Sequence, residues 1–241
     1  LSVTKINDSF VNDKLFLKRN MKTQQRIVAK ALELFNENGI EYVGMRELAT
    51  ALGTKLGNIT YYFPTKEDLI LQVSVDLSEA NAAILQEDEG MTIGSYLEMN
   101  RRHFECQFQY KCVFLSFVHL RKQYEKLADI YKNAEEKRKK TVLKNLGYLV
   151  QNGYLRTLSV AEGTFLMSAI LLLSRFWISE AAISYGTLQP SEQIRHYIGL
   201  LANILAPYCS ERGRQQLTGF LSAVNNAPVE SDIRAKGNEE Q

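Results

Sequence analysis

Residues 45–63 read MRELATALGTKLGNITYYF and decide the fold expected for the first part of the chain. Apolar residues recur at helical spacing over 45–52, which predicts a helix, and Gly53 is expected to end it. Thr54 is predicted to be the N-cap of the next helix, which ends before Pro64 because the residue preceding a proline is pushed out of the helical conformation. Two short helices joined by a glycine turn are typical of a helix-turn-helix motif.

The residues on either side of this motif predict two further helices. Upstream, a helix over 22–38 is closed by Gly39, and its apolar face consists of Ile27, Ala31, Leu34 and Phe35. Downstream, residues 65–68 form a capping-box pattern that opens a fourth helix reaching about Gln86. That helix is roughly 30 Å long at 1.5 Å per residue, enough to join a small head to a larger body.

The second helix of the motif, over 54–62, is polar for its length. Only Leu56 and Ile59 are aliphatic, whereas a core helix presents a fuller apolar stripe. The remaining side chains offer hydroxyls, a lysine, an amide and two phenols, which are groups that hold phosphates and read base edges. The composition therefore indicates a helix that places its polar side against DNA.

Over about residues 23–69 the sequence resembles the TetR family of bacterial transcriptional regulators. The segments at the family's spacing are Arg26-Ile27, Ala31-Leu32, Leu34-Phe35, Gly39, Arg46-Glu47-Leu48-Ala49, Leu52-Gly53-Thr54, Gly57, Tyr62-Phe63-Pro64-Thr65-Lys66-Glu67 and Leu69. The resemblance implies an all-α protein with an N-terminal three-helix DNA-binding domain and a C-terminal helical bundle for ligand binding and dimerisation. The sequence departs from the family at Val43 and Gly44, where hydroxyl residues are usual, and at Thr60, where tyrosine is common.

The resemblance also implies roles for individual residues. Lys55 would bind a phosphate or a guanine edge, and the alternative is a solvated lysine. Asn58 would read adenine or hold a phosphate, with a surface cap as the alternative. Gly57 would allow close approach to the groove, with tight helix packing as the alternative, and both can hold. Thr54 would cap the helix and touch a phosphate, or cap it only.

Aromatic and basic residues complete the predicted DNA surface. Tyr61 and Tyr62 resemble the family's phosphate-contacting aromatics, and the alternative for one of them is a place in the core of the head. Lys66 opens the fourth helix, where its ammonium and the free backbone N–H groups together suit a phosphate. The full set of predicted DNA contacts is Arg46, Thr54, Lys55, Leu56, Gly57, Asn58, Thr60, Tyr61, Tyr62 and Lys66.

Composition limits the remaining choices. The 241 residues include only 4 Pro and 14 Gly, which are too few turn residues for an all-β chain. A net charge of +2 means that a few placed cations, and no broad basic field, would bring the protein to DNA. Three cysteines, Cys106, Cys112 and Cys209, fit no disulfide framework and favour a cytoplasmic location. The most apolar stretch, 165–173, is expected to be too short to cross a membrane.

The chain is predicted to have four parts. Residues 1–20 are expected to be a poorly ordered extension, 21–68 the DNA-binding head with its helix-turn-helix at about 44–63, 69–225 the helical body, and 226–241 a disordered tail. The helices predicted in the body run over 93–110, 112–117, 120–152, 159–185, 190–205 and 210–224.

An excess of aromatic residues in the body suggests a pocket for a mostly apolar small-molecule effector, although each residue taken singly also suits a core. The predicted pocket residues are His103, Phe104, Gln107, Phe108, Phe114, Phe117, His119, Tyr124, Phe165, Ser168 and Trp177. A metal or thiol-redox sensor around His103, Cys106, Cys112 and His119 is the alternative, without the acidic partners or paired cysteines typical of such a site. The basic run 137–140 is expected to be a solvated helix face.

Two apolar stretches, about 161–185 and 194–206, are predicted to pair with a second copy in a four-helix homodimer interface, with burial inside one subunit as the alternative. A dimer would place two recognition helices about 34 to 36 Å apart on a double-stranded operator. The sequence contains no hydrolase, P-loop, dinucleotide or zinc-protease motif, so no enzyme activity and no cofactor are expected. The hypothesis is a repressor that a ligand releases from DNA, and the alternative is a ligand-independent architectural or cell-cycle factor on the same scaffold.

Overall fold

The computed structural model describes residues 22–226, all of them in helices and connecting turns except for an isolated β-bridge between Leu155 and Cys209. The predicted extension at 1–20 and, apart from Asn226, the predicted tail lie outside the described residues. The helices are α1 (22–38), α2 (Met45–Ala51), α3 (Leu56–Tyr62), α4 (Lys66–Ile84), α5 (Ile93–Gln109), α6 (Lys111–Leu115), α7 (Phe117–Gln123), α8 (Glu125–Gln151), α9 (Val160–Ser184), α10 (Pro190–Leu205) and α11 (Glu211–Asn226), with a 3₁₀ turn at Ala206–Tyr208. The predicted all-α class is confirmed.

The turn between α2 and α3 explains why the predicted cap is wrong by one residue. Gly53 has a φ of +61°, a conformation that costs glycine nothing. The N–H of Thr54 donates to the Ala49 carbonyl at 3.0 Å, and the N–H of Gly53 donates to the Thr50 carbonyl, which together form a Schellman motif. Because Thr54 belongs to the end of α2, the N-cap of α3 is Lys55, and its side chain makes no capping hydrogen bond.

Helix α4 connects the head to the body, as the sequence predicted. Thr65 caps its first turn, since the Thr65 hydroxyl accepts from the Asp68 N–H while the Asp68 carboxylate accepts from the Thr65 N–H. The helix crosses the expected boundary at residues 68 and 69 without a break. One hydrophobic cluster includes Ile59 of the head, Val73 of α4 and Trp177 of the body, so head and body share a core.

The body contains one break that the sequence analysis missed. The helix predicted over 120–152 is interrupted at Tyr124, whose backbone is extended with φ −122° and ψ 109°. Leu120 and Leu127 on either side of the break are both buried, and the bend allows each of them to enter the same core. The helix predicted over 112–117 is the shorter α6, and α7 follows it.

The remaining helices of the body agree with the predictions within a few residues. Ser159 and Glu162 form the expected capping box at the start of α9. A second hydrophobic cluster fills the end of the body away from the head, with Leu97 of α5, Leu146 of α8 and Leu201 of α10 at its centre. Helix α5 packs against α4, α10 and α11 and is the central helix of the body.

Helix α9 is longer and more apolar than the sequence analysis allowed. By length and composition it could cross a membrane, so the estimate of a short apolar run at 165–173 is wrong. Only 39% of its most apolar 18-residue window is buried. One side of α9 packs into the core through residues such as Leu166 and Ile170, while the other side leaves apolar side chains exposed.

Candidate DNA interface and ligand cavity

Helix α3 presents one buried and one open side. Ile59 is fully buried and joins α3 to the core of the head. Lys55, Gly57, Asn58 and Tyr61 lie on the open side. Of the other predicted contacts, Arg46 is exposed on α2, whereas Leu56, Thr60 and Tyr62 are half-buried. The structure thus brings the polar residues of α3 together on one solvent-facing surface. In a helix-turn-helix protein this surface of the second helix would face the major groove.

The two tyrosines differ in their surroundings. Tyr61 is 70% exposed, and Tyr62 packs partly against the hydrophobic core. Their rings meet edge to face at a centroid distance of 5.0 Å. Tyr62 therefore orients the ring of Tyr61, whose phenol is the more accessible of the two.

Hydrogen bonds also order the first turn of α3. The Asn58 side chain donates to the Thr54 hydroxyl at 2.8 Å, which holds both side chains on the open side. The Thr60 hydroxyl donates back to the Leu56 carbonyl at 3.3 Å. Thr60 is thereby directed toward its own helix, while the Asn58 carboxamide still has one N–H and its oxygen available for a partner.

Gly57 is not required by packing inside the protein. A Cβ atom at Gly57 would have no atom within 4 Å apart from its chain neighbours and the backbone of its own helix, so the space next to this glycine is open. The alternative of tight helix packing within the chain is therefore not supported. An open glycine on an exposed helix face suits a partner that approaches the backbone closely.

Lys66 has a structural partner at the edge of this surface. Its ammonium donates to the Glu41 carbonyl at 3.1 Å and thereby connects the start of α4 to the loop between α1 and α2. Burial lowers the pKa of Lys66, and the charges of Glu41 and Glu47 oppose that shift. Lys66 is thus held in a fixed position beside the N-terminus of α4.

One residue beside the predicted DNA surface was missed. Arg26 of α1 lines a groove of the head together with Thr23, Thr54, Asn58 and Tyr61. Arg26 lies in the segment that resembles the family, but helical periodicity alone does not show that the exposed side of α1 turns toward α3.

Most of the residues predicted to line a ligand pocket do not line a cavity. Phe104 and Trp177 stack at 5.1 Å in the core, with Phe108 against the same indole and Gln107 accepting from the Trp177 N–H at 2.6 Å. His103 is fully buried, Tyr124 is half-buried, and His119 is exposed. Phe165 and Ser168 are exposed on α9. Phe104, Phe108 and Trp177 fill the space between α5, α9 and α10, because a helix covered by neighbours on several sides needs large apolar side chains at helical spacing.

A narrow cavity lies between α4, α6, α7, α8 and α9, and of the predicted pocket residues it includes Phe114 and Phe117. Its volume is about 50 Å³, and the space free of atoms reaches about 550 Å³ only when the opening to solvent is counted. The lining consists of Ser74, Leu77, Ser78, Asn81, Val113, Phe114, Phe117, Ile130, Tyr131, Ala134, Glu135, Arg138 and Arg175. A second cleft between α4 and α8 shares Ser78, Asn81, Ala134 and Arg138 with this cavity and continues it outward.

The charged groups of the cavity are unequally paired. Arg175 donates to the Glu135 carboxylate at 2.7 Å, and Lys139 reaches the same oxygen at 3.4 Å. Burial raises the pKa of Glu135, but the stronger combined effect of Arg175 and Lys139 lowers it overall. Burial lowers the pKa of Arg138 to about 10, the like charge of Arg175 adds to that shift, and the charge of Glu135 opposes it. Arg138 makes no hydrogen bond or salt bridge within residues 22–226.

The expected solvated face at 137–140 is therefore wrong for Arg138. The three lysines of that run are exposed, whereas Arg138 is half-buried and lines both the cavity and its outer cleft. Arg138 continues the inward stripe of α8 formed by Leu127, Tyr131 and Ala134. That spacing was a sequence signal for its position, hidden by the lysines beside it.

The residues of the metal or redox alternative are buried or separated. Burial raises the pKa of the Cys112 thiol to about 12 and also raises that of Cys106, which disfavours the reactive thiolate. Burial and then the charge of Arg138 lower the pKa of His103 well below its usual value. In the part of the chain that the structure describes, no group of three potential metal ligands is found.

Comparisons with known proteins agree with this geometry. A family model described as "Bacterial regulatory proteins, tetR family" matches residues 27–73, and a TetR model described as "Bacterial transcriptional repressor" matches residues 78–217. A search of curated proteins finds no match.

Solved structures share the fold at low sequence identity. A TetR-family transcriptional regulator from Marinobacter aquaeolei VT8 has a TM-score of 0.76 and 18% identity, with 84% of this chain and 98% of that chain covered. A transcriptional regulator from Saccharomonospora viridis, solved in complex with choline, has a TM-score of 0.62 and 18% identity over 79% of this chain and 100% of that chain. CprB from Streptomyces coelicolor A3(2), a TetR family protein, has a TM-score of 0.61 and 12% identity over 86% of this chain and 100% of its own. Since one family model alone covers more than half of the 241 residues, the chain belongs to the TetR family of bacterial transcriptional regulators.

Proposed function

We propose that the protein is a homodimeric, cytoplasmic repressor that binds an operator through α3 and leaves it when a small, mostly apolar ligand enters the body. The observation that carries the proposal is the open side of α3. Lys55, Asn58 and Tyr61 project from it, and Gly57 adds no side chain that would keep a DNA backbone away. Two further predicted contacts, Arg46 on α2 and Lys66 at the start of α4, lie on the helices that flank α3.

The exposed side of α9 supports the homodimer. Phe165 is 58% exposed, Leu172 60% and Ile183 85%, and they follow one another along one side of the helix. Leu200 of α10 adds a further exposed apolar side chain. An apolar surface of this extent is unfavourable in water and is covered when two copies pack their α9 and α10 helices together. The length and apolar composition of α9 have the same explanation, so no membrane is needed to cover it.

Helix α4 supplies a path from the ligand to DNA. Its first turn follows α3 after Pro64, and its later residues Ser74, Leu77, Ser78 and Asn81 line the cavity. A second connection joins α1 to the body, since Asn36 donates to the Gln109 carbonyl at 2.7 Å and accepts from the Cys112 N–H. A ligand that separates α4 from α8 would therefore shift the head, through a coupling of order 1 to 3 kcal/mol.

The proposal is tested on DNA taken from upstream of the protein's own coding sequence. Fluorescence anisotropy of that DNA is measured with increasing protein, at several salt concentrations, with and without a panel of metabolites. Tight, salt-dependent binding that one metabolite weakens is expected. Tight binding that no metabolite alters would favour the ligand-independent architectural factor, and the absence of any binding above random DNA would contradict both.

A further inference from the structure

We propose that the ligand of the body cavity is an amphiphilic anion, an apolar chain ending in a carboxylate or a phosphate, whose charged head pairs with Arg138. The inference rests on the proposed function in one respect, namely that the body holds an effector. It adds the chemical class of that effector and the residue that recognises its charge.

The balance of charges around the cavity carries the inference. The only two carboxylates in the lining of the cavity and its outer cleft, within the described residues, are Glu135 and Glu87. Glu135 forms a salt bridge with Arg175 at 2.7 Å, and Glu87 forms one with Lys144 at 2.6 Å. Of the two arginines that line the inner cavity, Arg138 is therefore the one without a salt bridge, although the charge of Glu135 acts on it. A guanidinium withdrawn from water is unfavourable until an anion joins it, and its fork of N–H groups matches a carboxylate or a phosphate.

The inner wall of the cavity determines the rest of the ligand. Seven of the 13 lining residues are apolar or aromatic, namely Leu77, Val113, Phe114, Phe117, Ile130, Tyr131 and Ala134. Such a wall suits an alkyl chain or a ring system and offers few partners to a polar body. The ligand would thus place its apolar part toward α6 and α7 and its anionic end toward α8.

The charges of the outer cleft also favour an anionic ligand. Lys137 and Lys140 line it together with Arg138, and neither lysine makes a salt bridge within the described part of the chain. These two lysines carry positive charge along the route from solvent to Arg138. An anion is therefore attracted at the opening, and a cation is repelled there.

Asn81 is a second, independent sign of a missing partner. This residue lines both the cavity and the outer cleft and is 7% exposed, and its side-chain oxygen has no hydrogen-bond donor among the described residues. Buried polar atoms are rarely left unpaired in a folded protein. The Asn81 carboxamide is accordingly available to a donor on the ligand or to a water molecule that accompanies its head group.

The test is isothermal titration calorimetry of the full chain with four probes that share one alkyl chain. They are dodecanoate, dodecyl phosphate, neutral dodecanol and cationic dodecyltrimethylammonium, each used below its micelle concentration. We expect the two anions to bind at least about tenfold more tightly than dodecanol, and the cation to bind most weakly. Comparison of dodecanoate with dodecyl phosphate distinguishes a carboxylate from a phosphate head. Equal affinities for all four probes would overturn the inference.

Variants assign the recognition to Arg138. Arg138→Met should weaken dodecanoate at least about tenfold while leaving dodecanol unchanged, and Arg138→Lys should lie between Arg138→Met and the natural protein. Lys132→Met removes an exposed charge from the same helix, outside both lining sets, and should have no effect. If Arg138→Met and Lys132→Met bind dodecanoate equally well, the inference is wrong.

Operator binding by the same preparations separates this inference from the proposed function. Anion binding that needs Arg138 but leaves DNA affinity unchanged would support the ligand class and contradict the ligand-released repressor. DNA binding that persists in a protein without affinity for any of the anions would overturn the ligand class and leave the DNA-binding part of the proposed function in place.

Discussion

Helices α3 and α8 both carry polar side chains, but the polar side chains of interest face solvent in α3 and line an interior cavity in α8. In α3 the polar residues face solvent and Ile59 alone is fully buried, whereas in α8 the exposed lysines are unremarkable and Arg138 turns inward. The surface of α3 is a property of one continuous stretch of sequence. The cavity around Arg138 is assembled from five helices. A binding surface on one element is therefore visible in the sequence, while a site between elements depends on packing that the sequence does not display.

The largest expected effect concerns the assembly that places two copies of α3 on DNA. Leu172→Glu puts a charge on the exposed apolar side of α9 and should convert a dimer into a monomer, because a carboxylate would have to be buried in the interface. Loss of the second half-site should reduce operator affinity by more than about 100-fold. Light scattering and anisotropy give the two readings.

The matched control is Val118→Glu, which changes an exposed apolar residue on α7. It should leave the oligomeric state unchanged. A Leu172→Glu protein that remains a dimer would show that the exposed side of α9 is not the interface.

The second effect concerns the open side of α3 directly. Lys55→Ala combined with Tyr61→Ala should weaken operator binding at least about 30-fold, since each contact to phosphate or base contributes about 1 to 3 kcal/mol. Both side chains are exposed, so thermal stability should be unaffected. Lys132→Ala, which removes an exposed charge from the body, serves as the control. Unchanged operator affinity in the double variant would contradict the assignment of α3.

Gly57 sharpens the comparison because stability and function should change in opposite directions. Gly57→Ala adds one methyl group in open space and replaces a poor helix former, so the free energy of unfolding should rise by up to about 1 kcal/mol. The same methyl group lies on the side that meets DNA, and affinity should fall about tenfold. Denaturant unfolding and anisotropy measure the two changes. A loss of stability would show that Gly57 serves internal packing after all.

Gly53→Ala is the companion variant for Gly57→Ala. Its positive φ of +61° strains any residue with a Cβ atom, so the free energy of unfolding should fall by about 1 to 2 kcal/mol. The contrast between two exposed glycines in the same motif separates a conformational requirement from a surface requirement.

The smallest effect belongs to the cavity. In the absence of ligand, Arg138→Met removes a partly desolvated cation without a partner and should raise the free energy of unfolding by up to about 1 kcal/mol. Affinity for DNA should be unchanged, because Arg138 lies in the body. Chemical denaturation checks the first point and anisotropy the second. A clear loss of stability would show that Arg138 has a structural partner.

The parts of the fold that were predictable have local causes. Gly39 and Gly53 end α1 and α2 with φ values of +90° and +61°, and the capping boxes at Thr65 and Ser159 open α4 and α9, as the sequence indicated. Each of these signals lies within a few residues of its effect. The N-cap of α3 was misplaced because Thr54 serves the preceding helix, and a capping residue alone does not show which helix it serves.

The break at Tyr124 and the place of Arg138 have no comparable local cause. The one glycine in 120–152, Gly147, lies inside α8 and far from the break, and the bend at Tyr124 is imposed by the burial of the leucines on both sides. Arg138 belongs to a basic run that reads as solvated unless its register with Tyr131 is considered. The prediction of an aromatic pocket has no local cause either. Phe104 and Trp177 stack on each other and leave no space between them for a ligand.

The most direct test of the account is selection of DNA sequences by the full chain from a pool of random duplexes. The account predicts enrichment of a near-palindromic site whose half-sites are about one helical turn, roughly 10 base pairs, apart, and loss of that enrichment in the Lys55→Ala, Tyr61→Ala double variant. Enrichment of the same site by the double variant, or no enrichment by the natural protein, would contradict the claim that the open side of α3 reads DNA.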